Sequence, residues 1–175
     1  MLLAGVHNTA LSRQVLATCM ILLCTVSAAH AGGDKTRGAY LARIMDCGGC
    51  HTPGAIAGKP NEQEPLSGSE VGFAIPELGV FYPPNLTPDK DTGLGKWSEA
   101  DILRALRKGV RPDGRELAPI MPWRSFAALT DEDAGDLAAY LKSLPASVRK
   151  VPGPFGPGEK PTGPYLALIM PAAVK

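Results

Sequence analysis

The sequence predicts an all-α domain of about three main helices, with a long irregular loop and a small β-hairpin between the first two. Three segments repeat apolar residues at helical spacing, and capping or helix-breaking residues mark their ends. Glycine (20) and proline (17) make up 37 of the 175 residues, so much of the domain must be loop. The length fits one domain better than two. Something besides regular secondary structure must therefore organise this fold.

The three predicted helices span about 35–47, 98–109 and 130–144. The second and third begin at the N-cap candidates Ser98 and Thr130, whose hydroxyl oxygens accept hydrogen bonds from the first helical turn. These end signals make the second and third helices the better defined ones.

The stretch 52–96 between the first two helices is predicted to be mostly loop. Within it, the apolar segments 71–75 and 79–82 flank the short turn segment 76–78, which predicts a small hairpin. A loop of this length inside a compact domain needs a reason.

The first residues, 1–31, are predicted to be a secretory signal peptide. Arg13 precedes a mostly apolar run over 15–26, and Ala29-His30-Ala31 matches the small-x-small cleavage pattern. An uncleaved membrane anchor is the alternative, but this run falls short of the ~20 residues that a helical span needs. Cleavage after Ala29 also fits the pattern. Export predicts a periplasmic protein in an oxidising compartment.

Cleavage after Ala31 leaves 144 residues (175 less 31), with 17 basic residues (18 without Arg13) and 17 acidic ones. This balance argues against a nucleic-acid-binding protein, which needs a basic face. The cysteines that remain are Cys47 and Cys50, and the histidine that remains is His51.

The segment Cys47-Gly48-Gly49-Cys50-His51 is the attachment pattern of a c-type haem. Positions i, i+3 and i+4 share one face of a helical turn. Two thiols on that face bond to the two vinyl groups of one haem, and the imidazole becomes an axial ligand of its iron. The sequence thus predicts one covalently bound haem c. A large apolar plate also explains the long loop, because it replaces part of a core.

Three other uses of this motif fit less well. A redox-active CxxC normally lies in a βαβ context, whereas helical sequence precedes Cys47. A zinc site needs four ligands, and cleavage leaves neither a second cysteine pair nor a second histidine. A disulfide between Cys47 and Cys50 would be strained and would leave His51 without a role.

A methionine is predicted as the second axial ligand, because no other histidine survives cleavage. Met45 lies six residues before His51 on the same predicted helix and so does not reach the opposite face of the haem. Met170 lies beyond a Pro/Gly-rich stretch. Met121 lies between two prolines, which should hold its segment extended. We therefore predict ligation by Met121, with core packing as its alternative role.

Residues 32–147 are predicted to form the haem domain, and residues 148–175 a Pro/Gly-rich C-terminal tail. Seven prolines from Pro145 onward are typical of an extended linker. The apolar segment 165–170 is too short to span a bilayer. The sequence fits both packing of the tail on its own domain and docking of the tail to a partner.

Several short motifs lie along residues 37–145: Gly38-x-Tyr40-Leu41-Ala42-Arg43 before the haem motif, Tyr82-x-Pro84-Asn85-Leu86-Thr87-Pro88, Gly93-x-Gly95-x-Trp97-Ser98, Asp113-Gly114-Arg115, Met121-Pro122 and Leu129-Thr130-Asp131-Glu132-Asp133. Together they resemble the cytochrome c subunits of membrane-associated alcohol and aldehyde dehydrogenases. Those subunits usually carry three such haem domains. This sequence carries one haem motif and so looks more like a stand-alone carrier or a small single-haem subunit.

The resemblance implies the class I cytochrome c fold, in which the first and last helices cross. It implies His51 and Met121 as axial ligands of the iron, with the Pro84 carbonyl accepting a hydrogen bond from the imidazole. It also implies that Trp97, and with it Asn85, lie near a haem propionate. An ordinary core position is the alternative for Trp97.

These residues predict an electron carrier rather than an enzyme, because a haem iron with two protein ligands has no open position for substrate. The expected partners are redox proteins: a dehydrogenase, a terminal oxidase or another cytochrome. Membrane association is expected only through a partner or an uncleaved signal. The alternative function is a haem enzyme or gas sensor with a displaceable sixth ligand, which the lack of a second histidine disfavours.

Overall fold

The computed structural model describes residues 33–169. The predicted signal peptide and Met170 lie outside the described residues. Between positions 33 and 169, none of the helices is long and apolar enough to cross a membrane.

Residues 33–169 form five α-helices, and three of them correspond to the three predicted helices. In chain order they are α1 (Lys35–Ile44), α2 (Cys47–His51), α3 (Glu99–Lys108), α4 (Trp123–Phe126) and α5 (Asp131–Ser143), with a 3₁₀ turn at Ala55–Ala57. Helices α1, α3 and α5 are the predicted ones. The short helix α4 has no counterpart in the sequence prediction.

The first helix ends earlier than the sequence predicts. It stops at Ile44, and Asp46 then adopts a left-handed conformation with φ of 54°. Aspartate adopts this conformation more readily than most residues that carry a side chain. The haem motif therefore lies on a helix of its own, α2, and the prediction that Met45 shares a helix with His51 is wrong.

Helices α1 and α5 pack so closely that glycine is required where they touch. A Cβ atom built on Gly38 would overlap the carbonyl oxygen of Asp136 and lie 2.7 Å from Tyr140 Cβ. Around this point Leu41 is 4% exposed and Leu137 is fully buried. The first and last main helices thus pack against each other at this point, which we call the crossing, and burial of each such side chain stabilises the fold by about 1.5–3 kcal/mol.

Helices α3 and α5 begin at the predicted N-caps. Ser98 Oγ accepts a hydrogen bond from Asp101 N at 3.1 Å, and Asp101 Oδ2 accepts one from Ser98 N at 3.0 Å, which completes a capping box. Thr130 Oγ1 accepts a hydrogen bond from Asp133 N at 3.0 Å. Gly109 ends α3 with a φ of 67°, a conformation that glycine adopts without strain.

The predicted hairpin is present, and a third strand extends it. Strand β1 (Gly72–Ile75) pairs antiparallel with β2 (Gly79–Phe81), with Ala74 opposite Val80. Strand β3 (Tyr165–Leu166) comes from the predicted tail and pairs parallel with β1, so the strand order is β2-β1-β3. This part of the tail therefore lies against the domain.

Candidate cofactor site

One cavity brings together the cysteines, the histidine and the methionine of the predicted site. Cys47, Cys50, His51 and Met121 all line it. Its volume is about 500 Å³, within the ~300–1,000 Å³ typical of pockets for small molecules and cofactors. Most of its remaining wall is apolar and includes Phe73, Phe81, Leu94, Ile102, Leu106 and Leu137. A flat apolar molecule bound here would complete a hydrophobic core.

The two thiols differ from those of a redox-active CxxC motif. Burial raises the pKa of Cys47 to about 11, and the Asp46 carboxylate adds to this increase. Burial and the same carboxylate also raise the pKa of Cys50. Redox-active pairs instead have thiols of lowered pKa. Burial therefore favours the protonated thiol form of both cysteines, unlike the thiolate of a dithiol redox centre.

The His51 imidazole is buried and held by a backbone carbonyl. Its side chain is 6% exposed, and Nδ1 lies 2.8 Å from the Pro84 carbonyl oxygen. Because a carbonyl only accepts, Nδ1 donates its hydrogen and Nε2 stays unprotonated, which is the form that ligates a metal. Burial lowers the pKa of His51, and the hydrogen bond to Pro84 partly offsets this effect. The structure therefore places this contact where the resemblance implies it.

Met121 lines the cavity from a turn rather than from an extended segment. Its backbone N–H donates to the Ala118 carbonyl at 2.9 Å, which puts Pro119 at the second position of a β-turn. The fixed φ of proline suits that position, so the predicted extended conformation is wrong here. Met45 also lines the cavity, and lining alone does not choose between the two thioethers.

Asn85 lines the cavity, but its amide is engaged within the protein. Nδ2 donates to the Ser147 carbonyl at 2.7 Å and to Thr92 Oγ1 at 3.1 Å. Oδ1 accepts hydrogen bonds from the backbone N–H and the hydroxyl of Thr87, at 2.9 and 2.8 Å. Both amide hydrogens are thereby used. Asn85 joins the loop to the tail, and its nearness to a propionate stays a prediction.

Trp97 and two arginines form a cationic corner of the cavity. The guanidinium carbon of Arg111 lies 5.5 Å from the centroid of the Trp97 ring. Arg111 Nε is 3.3 Å from Asp113 Oδ2 but without hydrogen-bond geometry, so this buried nitrogen has no hydrogen-bond partner within residues 33–169. Arg115 lines the cavity too, and burial together with repulsion from Arg111 lowers its pKa. This corner favours an anionic group on a bound molecule.

The sequence prediction of the site included neither Arg111 nor Arg115. A tight turn brings the two together, because Arg111 N donates to the Arg115 carbonyl and Gly114 N donates to the Arg111 carbonyl, both at 3.0 Å. The pair Asp113-Gly114 is a turn signal. It indicates that the residues flanking it lie side by side, and this was the signal available in the sequence.

The match to a known family covers the haem motif, Met121 and the cationic corner. A family model described as "Cytochrome c" matches residues 36–145, from α1 through α5. This chain belongs to the cytochrome c family. Family membership implies a covalently bound haem c with its iron.

Several relatives that this cytochrome matches are named as cytochrome subunits of dehydrogenases. It is 38% identical over 125 residues to the cytochrome c subunit of the quinone alcohol dehydrogenase of Gluconobacter oxydans (strain 621H). This match covers 69% of this chain and 24% of the relative. It is 37% identical over 127 residues to the fructose dehydrogenase cytochrome subunit of Gluconobacter japonicus (69% and 24%). It is 39% identical over 127 residues to the gluconate 2-dehydrogenase cytochrome c subunit of Pantoea cypripedii (69% and 27%). The chain thus spans about a quarter of the length of these curated relatives.

The residues present fit a covalently attached haem. The cysteine thiols and the imidazole come from one short helix and line the same apolar cavity. The imidazole already has the tautomer that ligates iron. The cationic corner suits the two carboxylates that the porphyrin carries.

Proposed function

We propose that this chain is a single-haem c-type cytochrome that carries one electron at a time between redox partners outside the cytoplasm. The observation that supports this most directly is that Cys47, Cys50, His51 and Met121 line one apolar cavity while Pro84 fixes the imidazole tautomer. Each group needed for attachment and axial ligation is therefore available at one place.

Each side chain has a separate task in this proposal. Cys47 and Cys50 would hold the haem through two thioether bonds, and His51 Nε2 and the Met121 thioether would bind its iron. The bound haem supplies a ferric/ferrous couple that exchanges single electrons. Arg111 and Arg115 balance the charge of the haem propionates. Trp97 and Asn85 lie beside the propionate edge of the haem, and the apolar wall keeps water out.

An electron carrier suits these ligands better than a haem enzyme or a gas sensor. Two protein ligands occupy both axial positions and leave none for a substrate. Among residues 33–169, His51 is the one histidine, so acid–base chemistry on the Met121 side would need another group.

The same proposal covers the organisation and location of the chain. Residues 1–31 direct export to the periplasm and are removed, residues 32–147 form the haem domain with a class I fold, and residues 148–175 form the tail. The donor or acceptor is a redox protein: a dehydrogenase, a terminal oxidase or another cytochrome. The names of the relatives support a dehydrogenase as partner.

The test is maturation of the full chain in a bacterial host that attaches c-type haem. We expect a coloured exported protein whose intact mass equals the mature chain plus one haem, and which retains haem stain on a denaturing gel. A low-spin ferric spectrum with a methionine-to-iron charge-transfer band is expected of the carrier, whereas a high-spin resting state would favour the enzyme or sensor. Colourless protein with both thiols open to alkylation would refute the proposal.

Isolation from the native source identifies the partner. Co-purification of a dehydrogenase would support a fixed subunit, and a protein that purifies alone would support a free carrier.

A further inference from the structure

A short segment beyond the family match belongs to the cavity wall. The match ends at residue 145, yet Val151 and the next three residues, 152–154, line the cavity. We call residues 147–155 the strap. Three sets of contacts hold it against the site.

The first contact set ties the strap to the loop that carries the Pro84 carbonyl. Asn85 follows Pro84, and its Nδ2 donates to the Ser147 carbonyl at 2.7 Å. The backbone N–H of Ser147 donates to Thr87 Oγ1 at 3.1 Å. Both backbone groups of Ser147 are therefore bonded within three residues of Pro84. A further bond runs from Arg149 N to Thr92 Oγ1 at 3.2 Å.

The second contact set lies behind His51 itself. The Gly68 N–H donates to the His51 carbonyl at 2.7 Å. Gly68 has a φ of 100°, and a Cβ built on it would lie 2.5 Å from Val151 Cγ1 and 3.0 Å from Asn85 N. Val151 thus fills the space that the missing side chain of Gly68 leaves. The strap therefore contacts the segment that bonds the His51 carbonyl through Val151, and it contacts Asn85 through Ser147.

The third contact set anchors the far end of the strap on the hairpin. Phe155 and Val80 exchange both backbone hydrogen bonds, at 2.9 and 3.0 Å. The Phe155 ring packs edge-on against the Tyr82 ring with centroids 6.0 Å apart. The strap is therefore held at both ends, and Val151 lies between them.

We propose that the strap is a positioning element of the site: it holds the Pro84 carbonyl against His51 Nδ1 and excludes water from that hydrogen bond. This inference rests on the proposed function, since the bond matters for an imidazole that ligates iron. Partners of this kind fix the orientation and basicity of a ligating histidine. The Pro84 carbonyl shares its peptide plane with the Asn85 nitrogen, so the contacts that hold Asn85 also set the position of this carbonyl.

The test measures how fast the His51 Nδ1 hydrogen exchanges with solvent, by NMR on the reduced, haem-loaded full chain. Val151→Ala removes the contact with Gly68, whereas Val148→Ala makes the same change at a strap position that is 83% exposed. We expect exchange at least about tenfold faster in Val151→Ala and within about twofold of the wild type in Val148→Ala. Thr87→Val, which loses both the bond from Ser147 N and the bond to Asn85 Oδ1, should also accelerate it.

Backbone amide exchange in α1 and α5 is recorded in the same samples. Unchanged amide rates beside faster Nδ1 exchange would support the strap as a positioning element. Equal Nδ1 exchange in Val151→Ala, Thr87→Val and Val148→Ala would overturn it, and so would acceleration that merely parallels the helix amides. A protein without covalent haem would instead refute the proposed function, so the two failures are distinguishable.

Discussion

The crossing of α1 with α5 and the loop wall of the cavity are held together in different ways. At the crossing, apolar side chains are completely buried, and Leu137 and Ala138 are both 0% exposed. In the wall, polar side chains are buried almost as deeply, and Asn85 and Thr87 are both 1% exposed. Buried polar groups cost free energy unless they are hydrogen-bonded, and these two bond to each other and to the strap.

The two regions therefore have different roles: the crossing contributes stability, and the wall fixes the positions of atoms. Apolar burial is strong but non-directional, so the crossing supplies stability without fixing atoms finely. Hydrogen bonds are directional, so those of Asn85 and Thr87 fix the loop that carries the Pro84 carbonyl. Variants in the two regions should therefore change different observables, namely unfolding free energy for the crossing and ligand properties for the wall.

The largest expected effect comes from Met121→Ala in the wall. If Met121 is the axial ligand, the methionine-to-iron charge-transfer band should disappear completely. The reduction potential should also fall, because a thioether ligand raises it. Visible spectra and a potentiometric titration of the haem-loaded protein measure both changes.

Met45→Ala is the matched control, because Met45 lines the same cavity. It should keep the band. Loss of the band in Met45→Ala together with its survival in Met121→Ala would assign the ligand to Met45.

The next largest effect is expected from Gly38→Ala at the crossing. The new Cβ would overlap the backbone of Asp136, so α1 and α5 must separate, at a cost of about 1–3 kcal/mol. Gly135→Ala adds the same group to α5, where the nearest atom, Glu99 Oε1, is 3.9 Å away. That variant should gain about 0.5–1 kcal/mol from helix propensity. Denaturant unfolding of both proteins tests this, and equal stabilities would contradict it.

The helices and the ligand motif could be predicted from the sequence because their signals are local. Ser98 and Thr130 cap the helices that immediately follow them, and the covalent chemistry of haem dictates the spacing of the motif. The wall could not be predicted, because the bond from Asn85 to Ser147 joins residues 62 positions apart. The turn at Asp46 escaped prediction for a related reason: a left-handed aspartate depends on the packing around it.

An effect of similar size is expected from Thr52→Val, which tests a buried polar contact away from the α1–α5 crossing without touching an expected ligand. Thr52 Oγ1 accepts a hydrogen bond from Leu66 N at 3.1 Å, and Leu66 is buried with a φ of 60°. Valine has nearly the same shape but leaves this N–H unsatisfied, at a cost of about 1–3 kcal/mol. Exposed Thr162 provides the control, since Thr162→Val should stay within about 0.5 kcal/mol of the wild type. If the free energy of unfolding falls by a similar amount in Thr52→Val and Thr162→Val, the bond to Leu66 contributes little to stability.

The smallest effect is expected from acid titration of the capping box of α3. Hydrogen bonds from the Ser98 hydroxyl and backbone hold the pKa of Asp101 below its ordinary value of 3.8. A carboxyl whose folded pKa is lowered stabilises the fold above its ordinary pKa, and that contribution is lost as the pH falls through the folded value. The Asp101 side chain is 24% exposed and its charge is screened by solvent, so the loss should be modest.

Asp101→Asn isolates this contribution because asparagine does not titrate. Unfolding curves between about pH 6 and pH 2 should show the wild type losing its advantage over the variant as acid is added. Hydrogen exchange in the first turn of α3 should rise over the same range, while exchange at the α1–α5 crossing should not follow it. A constant difference in stability between the two proteins across this range would mean that the carboxylate charge does not stabilise the cap.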